Sequence, residues 1–484
     1  MKFIKYFLFI LFFLILVYFP VFLNLDLLVL AMWDESRLAV NAIEMYLNGN
    51  FLVTHYDNLP DLWNTKPPFL IWMQVLSFNI FGINELGVRF PSALAVLATI
   101  AMFIYFSRKY FQNFFPGLIA SVILITTNGY INNHVSRTGD YDAMLALFTS
   151  MSALFFILYI TYDKNKYLYY SLITLAFAVL TKGVAGMFFA AFYPVILILT
   201  KKFKSTLVNK HFYFSFLLFL FLAIGYYLLR EIKSPGFFKI VNENELAGRF
   251  FLPSEEHQES FIFYFKSIAD WQYTYWFPYL FVSLALLIIK PAFISDLFLK
   301  LIKYLFIISL GFLLIISFSG TKLFWYDAQV FTLLAFICAI PIFLLFQKIK
   351  EYFGDKNLKK FYVLACFVFA AIFFYPYKHI VEKNFFESHY TWTPVTFGRY
   401  MGKHPEYKKY TIVNDGYNAH VLFYRNAYNL KGYRIGSKIP ETCVKNDTLL
   451  VCEFSMLDKI NNLYNTEILH QDGSCSMLKI ISYK

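Results

Sequence analysis

The chain has 484 residues, of which 59% are apolar and 15% charged, and its formal net charge is +12. That much hydrocarbon cannot be hidden behind so little polar surface, which excludes an ordinary soluble globule and indicates a polytopic α-helical membrane protein. The Lys and Arg residues fall in short clusters between apolar runs, so they read as topology signals and not as a nucleic-acid surface. The 60 Phe and 37 Tyr suit lipid-facing helices with aromatic ends at the interface.

Lys2 and Lys5 precede an apolar run from Phe7 to about Leu30, long enough to cross ~30 Å of hydrocarbon. Ala31-Met32-Trp33 makes a poor cleavage site, so the run is expected to be an anchor that leaves the amino terminus inside. Basic residues then recur on every second connection, as the positive-inside rule demands: Arg108-Lys109, Asp163 to Lys166, Lys201 to Lys204, Lys290 to Lys303 and Lys348 to Lys360. Between them spans are expected near 86–107, 114–128, 143–161, 168–181, 184–200, 212–229, 272–289, 304–318, 327–346 and 361–376. With the first run this makes about 11 crossings (roughly 10–13), and an odd count puts the carboxyl terminus outside.

The outer connections hold Asp34, Glu35, Arg37, Lys66, Arg137, Asp140, Asp142, Lys182, the loop Arg230 to Trp271, and Lys322. Charge at membrane level is costly and tends to be kept for a purpose, although groups near a helix end snorkel cheaply to water. In the first outer loop, Arg37, Glu44 and Asn48 alternate with Leu38, Ile43 and Leu47, the pattern of a helix lying along the interface, and Asn48-Gly49-Asn50 stops it. Lys66-Pro67-Pro68 introduces a short apolar run, Phe69 to Met73, expected to be re-entrant or interfacial.

Beyond Tyr377 the composition turns mixed and soluble. Tyr410 to Val413, Val421 to Tyr424 and Thr448 to Val451 read as short strands, predicting a small outer α/β or α+β domain over 377–484 beside a membrane domain over 1–376. Cys443, Cys452 and Cys475 lie there, enough for one disulfide whose pairing the sequence leaves open, whereas Cys338 and Cys366 read as packed membrane residues.

Six stretches carry a family resemblance: Asp34-Glu35-Ser36-Arg37-Leu38-Ala39, Lys66 to Trp72, Phe81 to Glu85, Val88 to Ala93, Leu180-Thr181-Lys182-Gly183, and Lys322 to Tyr326. In this order the chain resembles the GT-C class of membrane glycosyltransferases that use polyprenyl-phosphate sugars, especially the lipid A aminoarabinose transferase and bacterial protein-mannosyltransferase-like families. The resemblance covers Asp34 to about Tyr326. It implies the GT-C fold and an inverting transfer of a sugar from a polyprenyl (undecaprenyl) phosphate donor, at the periplasmic face of a bacterial inner membrane. The acceptor it implies is lipid A or another envelope glycolipid, with protein hydroxyls as the alternative.

Such chemistry needs fixed cations to hold a phosphate leaving group and a carboxylate to engage the acceptor. Lys66, Lys182 and Lys322 are candidates for the cations, and Arg37 for a forked phosphate contact or a pair with Asp34 or Glu35. Asp34 matches the family's catalytic acid and Asp142 its second acidic position, and Glu35, beside Asp34, is placed with them among the catalytic residues. Arg137, Asp140 and Tyr326 are placed with the substrate-binding residues. As the bland alternative, Asp140 and Asp142 simply cap a helix, and Tyr326 and Trp325 only mark an interface.

A divalent cation is open: paired aspartates suit a hard ion, and His55, His134 or His257 suit zinc, but no compact ligand motif is present. Asn242 to Glu245, Arg249 and Glu255-Glu256-His257 suit a lid or an acceptor-recognition element. A transporter or lipid flippase is the reading from another class; it predicts coupling charges at the bilayer midplane and related halves with broken helices, and neither sign is clear.

Overall fold

A computed structural model of the chain describes residues 2–131, 134–246, 259–354, 357–385 and 396–484. Two compact units emerge, a membrane unit of residues 1–23, 62–70 and 91–386 and a second unit of residues 24–61, 71–90 and 387–484.

Among the described residues, seven helices are long and apolar enough to cross a membrane: Glu85–Phe111, Asp142–Tyr162, Asn165–Met187, Lys210–Lys233, Asp296–Phe318, Val330–Phe353 and Leu358–Asn384. An eighth results if Phe263–Gln272 and Phe277–Ile289, bent by 116° at their junction, form one crossing. The break falls at the start of the stretch expected to span at 272–289.

Three apolar runs differ from expectation in instructive ways. The first helix, Lys2–Val21, ends well before Leu30. Its last carbonyls are taken by buried side chains: Arg137 donates to Pro20, Val21 and Leu23 at 3.3, 3.4 and 2.8 Å, and Asn384 Nδ2 to Pro20 at 2.7 Å. Satisfying these orphan groups away from water lets the chain turn there. The run at 184–200 is two 3₁₀ turns, Gly183–Met187 and Ala190–Phe192, followed by the Tyr193–Leu199 helix. Gly183 has φ +60°, where only glycine is unstrained, and it breaks the helix. The expected span at 114–128 is an 11-residue helix, Phe115–Ile125.

In the second unit the Asp34–Asn48 helix forms where expected and stops at Gly49, whose left-handed φ of 68° lets its N–H reach Met45. Burial extends to Glu35, Ser36, Asn41 and Glu44, while Tyr46 and Leu47 stay exposed. A two-residue hairpin follows, β1 (His55–Tyr56) and β2 (Leu59–Pro60), with Asp57 and Asn58 in left-handed conformation at its turn.

The carboxyl-terminal part is a five-stranded mixed sheet of β3 (Lys409–Val413), β4 (Arg434–Lys438), β5 (Thr448–Val451), β6 (Tyr464–Asp472) and β7 (Cys475–Tyr483), ordered β4-β3-β5-β7-β6. Strands β3, β4 and β5 are parallel, and β5, β7 and β6 antiparallel. Val421 to Tyr424, expected as a strand, lies instead in the Ala419–Leu430 helix. A parallel pair such as β3–β4 needs a crossover, and the Asn418 side chain starts this one by accepting the Val421 amide. Cys452 and Cys475 form the disulfide, leaving Cys443 buried in the apolar core under the sheet.

His420 ties this unit together. Its Nδ1 donates to the Leu30 carbonyl at 2.8 Å and its Nε2 accepts the Gly398 N–H at 3.1 Å, which selects the neutral ring. Burial lowers its pKa to about 4. With the folded value below the unfolded ~6.5, the stabilisation is complete above pH 6.5 and falls by ~1.4 kcal/mol per unit as pH drops toward 4. Amide exchange at Leu30 and Gly398, corrected for intrinsic rates, is therefore expected to be faster at pH 5 than at pH 7. Equal protection at both would refute a neutral-ring requirement.

Candidate active site

In the membrane unit, the Asp142–Tyr162 and Asn165–Lys182 helices pack against each other across a connection of two residues. Such a hairpin brings the first residue of one beside the last residue of the other. Lys182 Nζ accordingly lies 2.6 and 2.7 Å from the two oxygens of Asp142, both side chains largely buried. Lys182 also sits 5.4 Å from the centre of the Tyr326 ring. One residue before Asp142, Tyr141 carries Lys66 at 6.0 Å from its ring centre and exchanges hydrogen bonds with Asn64 through its hydroxyl. Two successive residues thus hold two of the predicted lysines, at the distances where a ring face or a carboxylate attracts a cation.

The Thr65 hydroxyl donates to Glu245 Oε1 at 2.5 Å. Glu245 Oε2 lies only 2.6 Å from where a Cβ on Gly183 would stand, a second reason for glycine beside Lys182. Of the polar loop singled out in the sequence, Asn242–Leu246 is thereby placed near Thr65 and Gly183, while Arg249, Glu255, Glu256 and His257 lie outside the described residues. Lys322 is buried and donates to the Ser319 carbonyl at 2.7 Å.

Asp140 Oδ2 accepts from Thr138 Oγ1 at 2.6 Å and stands 3.5 Å from His134 Nδ1. The His134 ring is stacked on Trp325 at 3.8 Å. A carboxylate oxygen and an imidazole nitrogen at this separation are two atoms that one divalent cation accepts as ligands. Arg137 is buried and bonds the carbonyls that end the first helix.

The second unit holds the acidic cluster. Asp34 is exposed at the first position of its helix. Glu35 is fully buried and grips Arg89 through both oxygens, at 2.7 Å to Nε and 3.0 Å to Nη2, while accepting the Ala31 N–H at 2.7 Å. Arg89 donates further to the carbonyls of Leu25, Leu28 and Val29, so one guanidinium pins the whole approach to Asp34. Arg37 pairs with Asp61, at 2.7 and 3.2 Å. Burial works against its charge, but the hydrogen bond and charge of Asp61 outweigh that and hold its pKa above the ordinary value. Its guanidinium lies over Tyr56 at 4.4 Å and Tyr417 at 5.5 Å, in a stack that Trp33 continues at 5.2 Å from Tyr417.

Arg89→Leu is expected to lower stability by about 3–5 kcal/mol, because it leaves Glu35 buried without its cation and frees three carbonyls at once. A thermal-unfolding midpoint measured in lipid nanodiscs checks this; an unchanged midpoint would show that the pair is replaceable.

Sequence reasoning quoted Arg89 but gave it no role, and it did not find Asp61, Tyr417 or Asp327. Asp327 is buried next to Tyr326 and accepts a hydrogen bond from Gln272 at 3.2 Å. Burial, with a smaller contribution from the charge of Asp142, holds its carboxyl well above the usual aspartate range. A lone acid in the run Trp325 to Phe331 was its only local signal.

Residues 65–227 match the family model described as dolichyl-phosphate-mannose-protein mannosyltransferase. A protein of Aquifex aeolicus (strain VF5) is 30% identical over 210 residues, 43% of this chain and 41% of that one. The undecaprenyl phosphate-alpha-4-amino-4-deoxy-L-arabinose arabinosyl transferase 2 of Proteus mirabilis (strain HI4320) is 31% identical over 183 residues, 37% of this chain and 31% of that one. The matched stretch therefore spans less than half of these relatives. Among solved structures, ArnT from Cupriavidus metallidurans bound to undecaprenyl phosphate superposes with a TM-score of 0.71 at 15% identity, covering 97% of both chains. Its apo state gives 0.69 at 14% identity. The chain therefore shares the polytopic α-helical membrane fold of these solved structures.

Proposed function

We propose that the chain is an inverting glycosyltransferase of the bacterial inner membrane, moving a sugar from an undecaprenyl phosphate donor to lipid A or a similar envelope glycolipid at the periplasmic face. The observation that carries this reading is the largely buried pair Asp142–Lys182 beside Tyr326, in a fold superposable along nearly its whole length on a protein that holds undecaprenyl phosphate. Lys182 and Lys66 stabilise the charge gained by the phosphate as the glycosidic bond breaks. Asp142 holds Lys182 in place, and Tyr326 contacts its ammonium from the ring face. Asp34 engages the acceptor, as base toward a hydroxyl or, where the acceptor is a phosphate, by orienting it. Glu35 is a positioning residue, since both its oxygens are occupied by Arg89.

We read the first helix, the bent pair and the short apolar helices Phe115–Ile125 and Ala190–Leu199 as further crossings, which brings the count to about eleven and the carboxyl terminus outside. The catalytic domain is assigned to 1–376 and the soluble periplasmic domain to 377–484. His134 and Asp140 offer two ligand atoms to a divalent cation, and no step of the transfer is routed through one.

Mass spectrometry of envelope lipids and glycoproteins, from cells with and without the protein, tests the reading. Loss of one sugar mass from a lipid is expected. Loss from proteins alone would replace the lipid acceptor with protein hydroxyls, the reading favoured by the mannosyltransferase family match. No covalent change in either, with altered flux of a lipid across the membrane, would replace the enzyme with a transporter.

A further inference from the structure

Trp33 stands one residue before Asp34 and is 63% exposed, although an indole is costly to leave in water. Its ring is nevertheless held. One face stacks on Tyr417 at 5.2 Å with the planes 10° apart, and Tyr417 stacks in turn on Tyr56 at 5.8 Å and 12°. The Arg37 guanidinium lies over both tyrosines, and the Arg37 N–H donates to the Trp33 carbonyl at 3.1 Å. The three rings come from separate segments: the approach to the Asp34–Asn48 helix, β1, and the loop between β3 and the Ala419–Leu430 helix. Such a column fixes the plane of the indole, and the exposure of Trp33 leaves its second face to the surroundings.

The charges around the column decide what suits that face. Burial raises the Tyr417 pKa, Arg37 opposes the rise, and the charges of Asp34 and Asp61 add to it, which places both carboxylates near the rings. Asp61 is paired with Arg37, and Asp57, next to Tyr56, faces Arg425 at 3.5 Å. Asp34 has no ion-pair partner within its unit, so an anion laid on Trp33 would meet an uncompensated carboxylate. An indole face is the negative side of the ring quadrupole and attracts C–H groups, while the carboxylate at its edge accepts O–H groups. A pyranose offers both without a charge, C–H on its face and O–H on its rim. A ring already fixed in plane also loses little freedom when it is covered. A Trp that only marks the membrane interface needs neither a plane set by two tyrosines and an arginine nor an unpaired acid at its edge.

We propose that Trp33 is a stacking platform that seats a pyranose ring of the acceptor against Asp34, and that Tyr417 is the positioning residue through which the carboxyl-terminal domain holds it. The choice of an acceptor sugar over another hydroxylated ring rests on the glycosyltransferase reading and on the acceptor role given there to Asp34.

Saturation-transfer NMR on the full chain in lipid nanodiscs tests it, with methyl β-D-glucopyranoside, methyl α-D-mannopyranoside and N-acetylglucosamine as probes and tetramethylammonium as the control cation. At least one sugar is expected to bind and to take up saturation mainly on the hydrogens of one ring face. Trp33→Ala, at an exposed position, is expected to keep the thermal midpoint and weaken binding about tenfold or more. Trp33→Phe is expected to recover part of it, and Tyr417→Leu to weaken binding with the indole still present. No sugar binding, or equal binding in Trp33→Ala, would overturn the proposal. Trp33-dependent binding of tetramethylammonium alone would make this a cation site, and Trp33-dependent fluorescence quenching by brominated phosphatidylethanolamine would put the ring in lipid; either result also overturns it. Because binding is read without turnover, Trp33-dependent sugar binding in a chain that transfers nothing supports the platform and sinks the enzymatic reading, whereas transfer without such binding does the reverse.

Discussion

Asp34→Asn is expected to fold as the wild type does and to transfer sugar about 10²–10⁴-fold more slowly, the range a positioned proton acceptor contributes. Asp34 is exposed at the start of its helix, where an isosteric amide changes stability by less than about 0.5 kcal/mol. The neighbouring substitution Glu35→Gln is the control. Glu35 is fully buried against Arg89, so neutralising it strands a guanidinium and unfolds the approach to Asp34 before any chemistry is measured. Two adjacent acids are thus predicted to fail in opposite ways, one in rate at constant stability and the other in stability first. Rates measured in nanodiscs at matched folded concentration separate them, and normal turnover by Asp34→Asn would remove Asp34 from the reaction.

Lys182→Met is expected to slow transfer by about 10²–10³-fold, the loss seen when one fixed group facing developing charge is deleted. Methionine retains most of the side-chain volume and removes the ammonium that both Asp142 oxygens accept from at 2.6 and 2.7 Å. The loss is expected mainly in kcat, because the phosphate gains charge as the bond breaks, and a rise in KM alone would instead mean that Lys182 only binds the donor. Lys182→Arg is expected to recover part of the rate, since the charge remains while the planar fork fits the site imperfectly. Asp142→Asn tests the pair from its other side: it frees Lys182 to move, and a fall in rate smaller than that of Lys182→Met identifies the cation as the acting partner.

How much of this was legible beforehand differs by residue. The long spans could be read because each needs only a run of apolar side chains of sufficient length, and the stop at Gly49 because a left-handed residue is a local requirement. The runs at 184–200 and 272–289 were harder, since hydropathy measures content and is blind to the 3₁₀ turns after Gly183 and the 116° bend after Gln272. Val421 to Tyr424 misled because a short apolar run has no period of its own; its role as a crossover between parallel strands is set by β3 and β4.

Composition and local pattern by themselves determined the membrane class, the positions of most long helices and the mixed carboxyl-terminal domain. Only the tertiary structure decided who partners whom: Glu35 with Arg89, Arg37 with Asp61, Asp142 with Lys182, and Cys452 with Cys475. Hydrophobic burial is summed over many neighbours along the chain and leaves a periodic trace in the sequence, whereas an ion pair depends on two groups, separated by 24 to 54 positions here, that meet only after the helices pack. Asp34 and Glu35 show the limit most plainly, for they share one local context, and the ~100° turn between successive helical residues sends one to the surface and the other into the core.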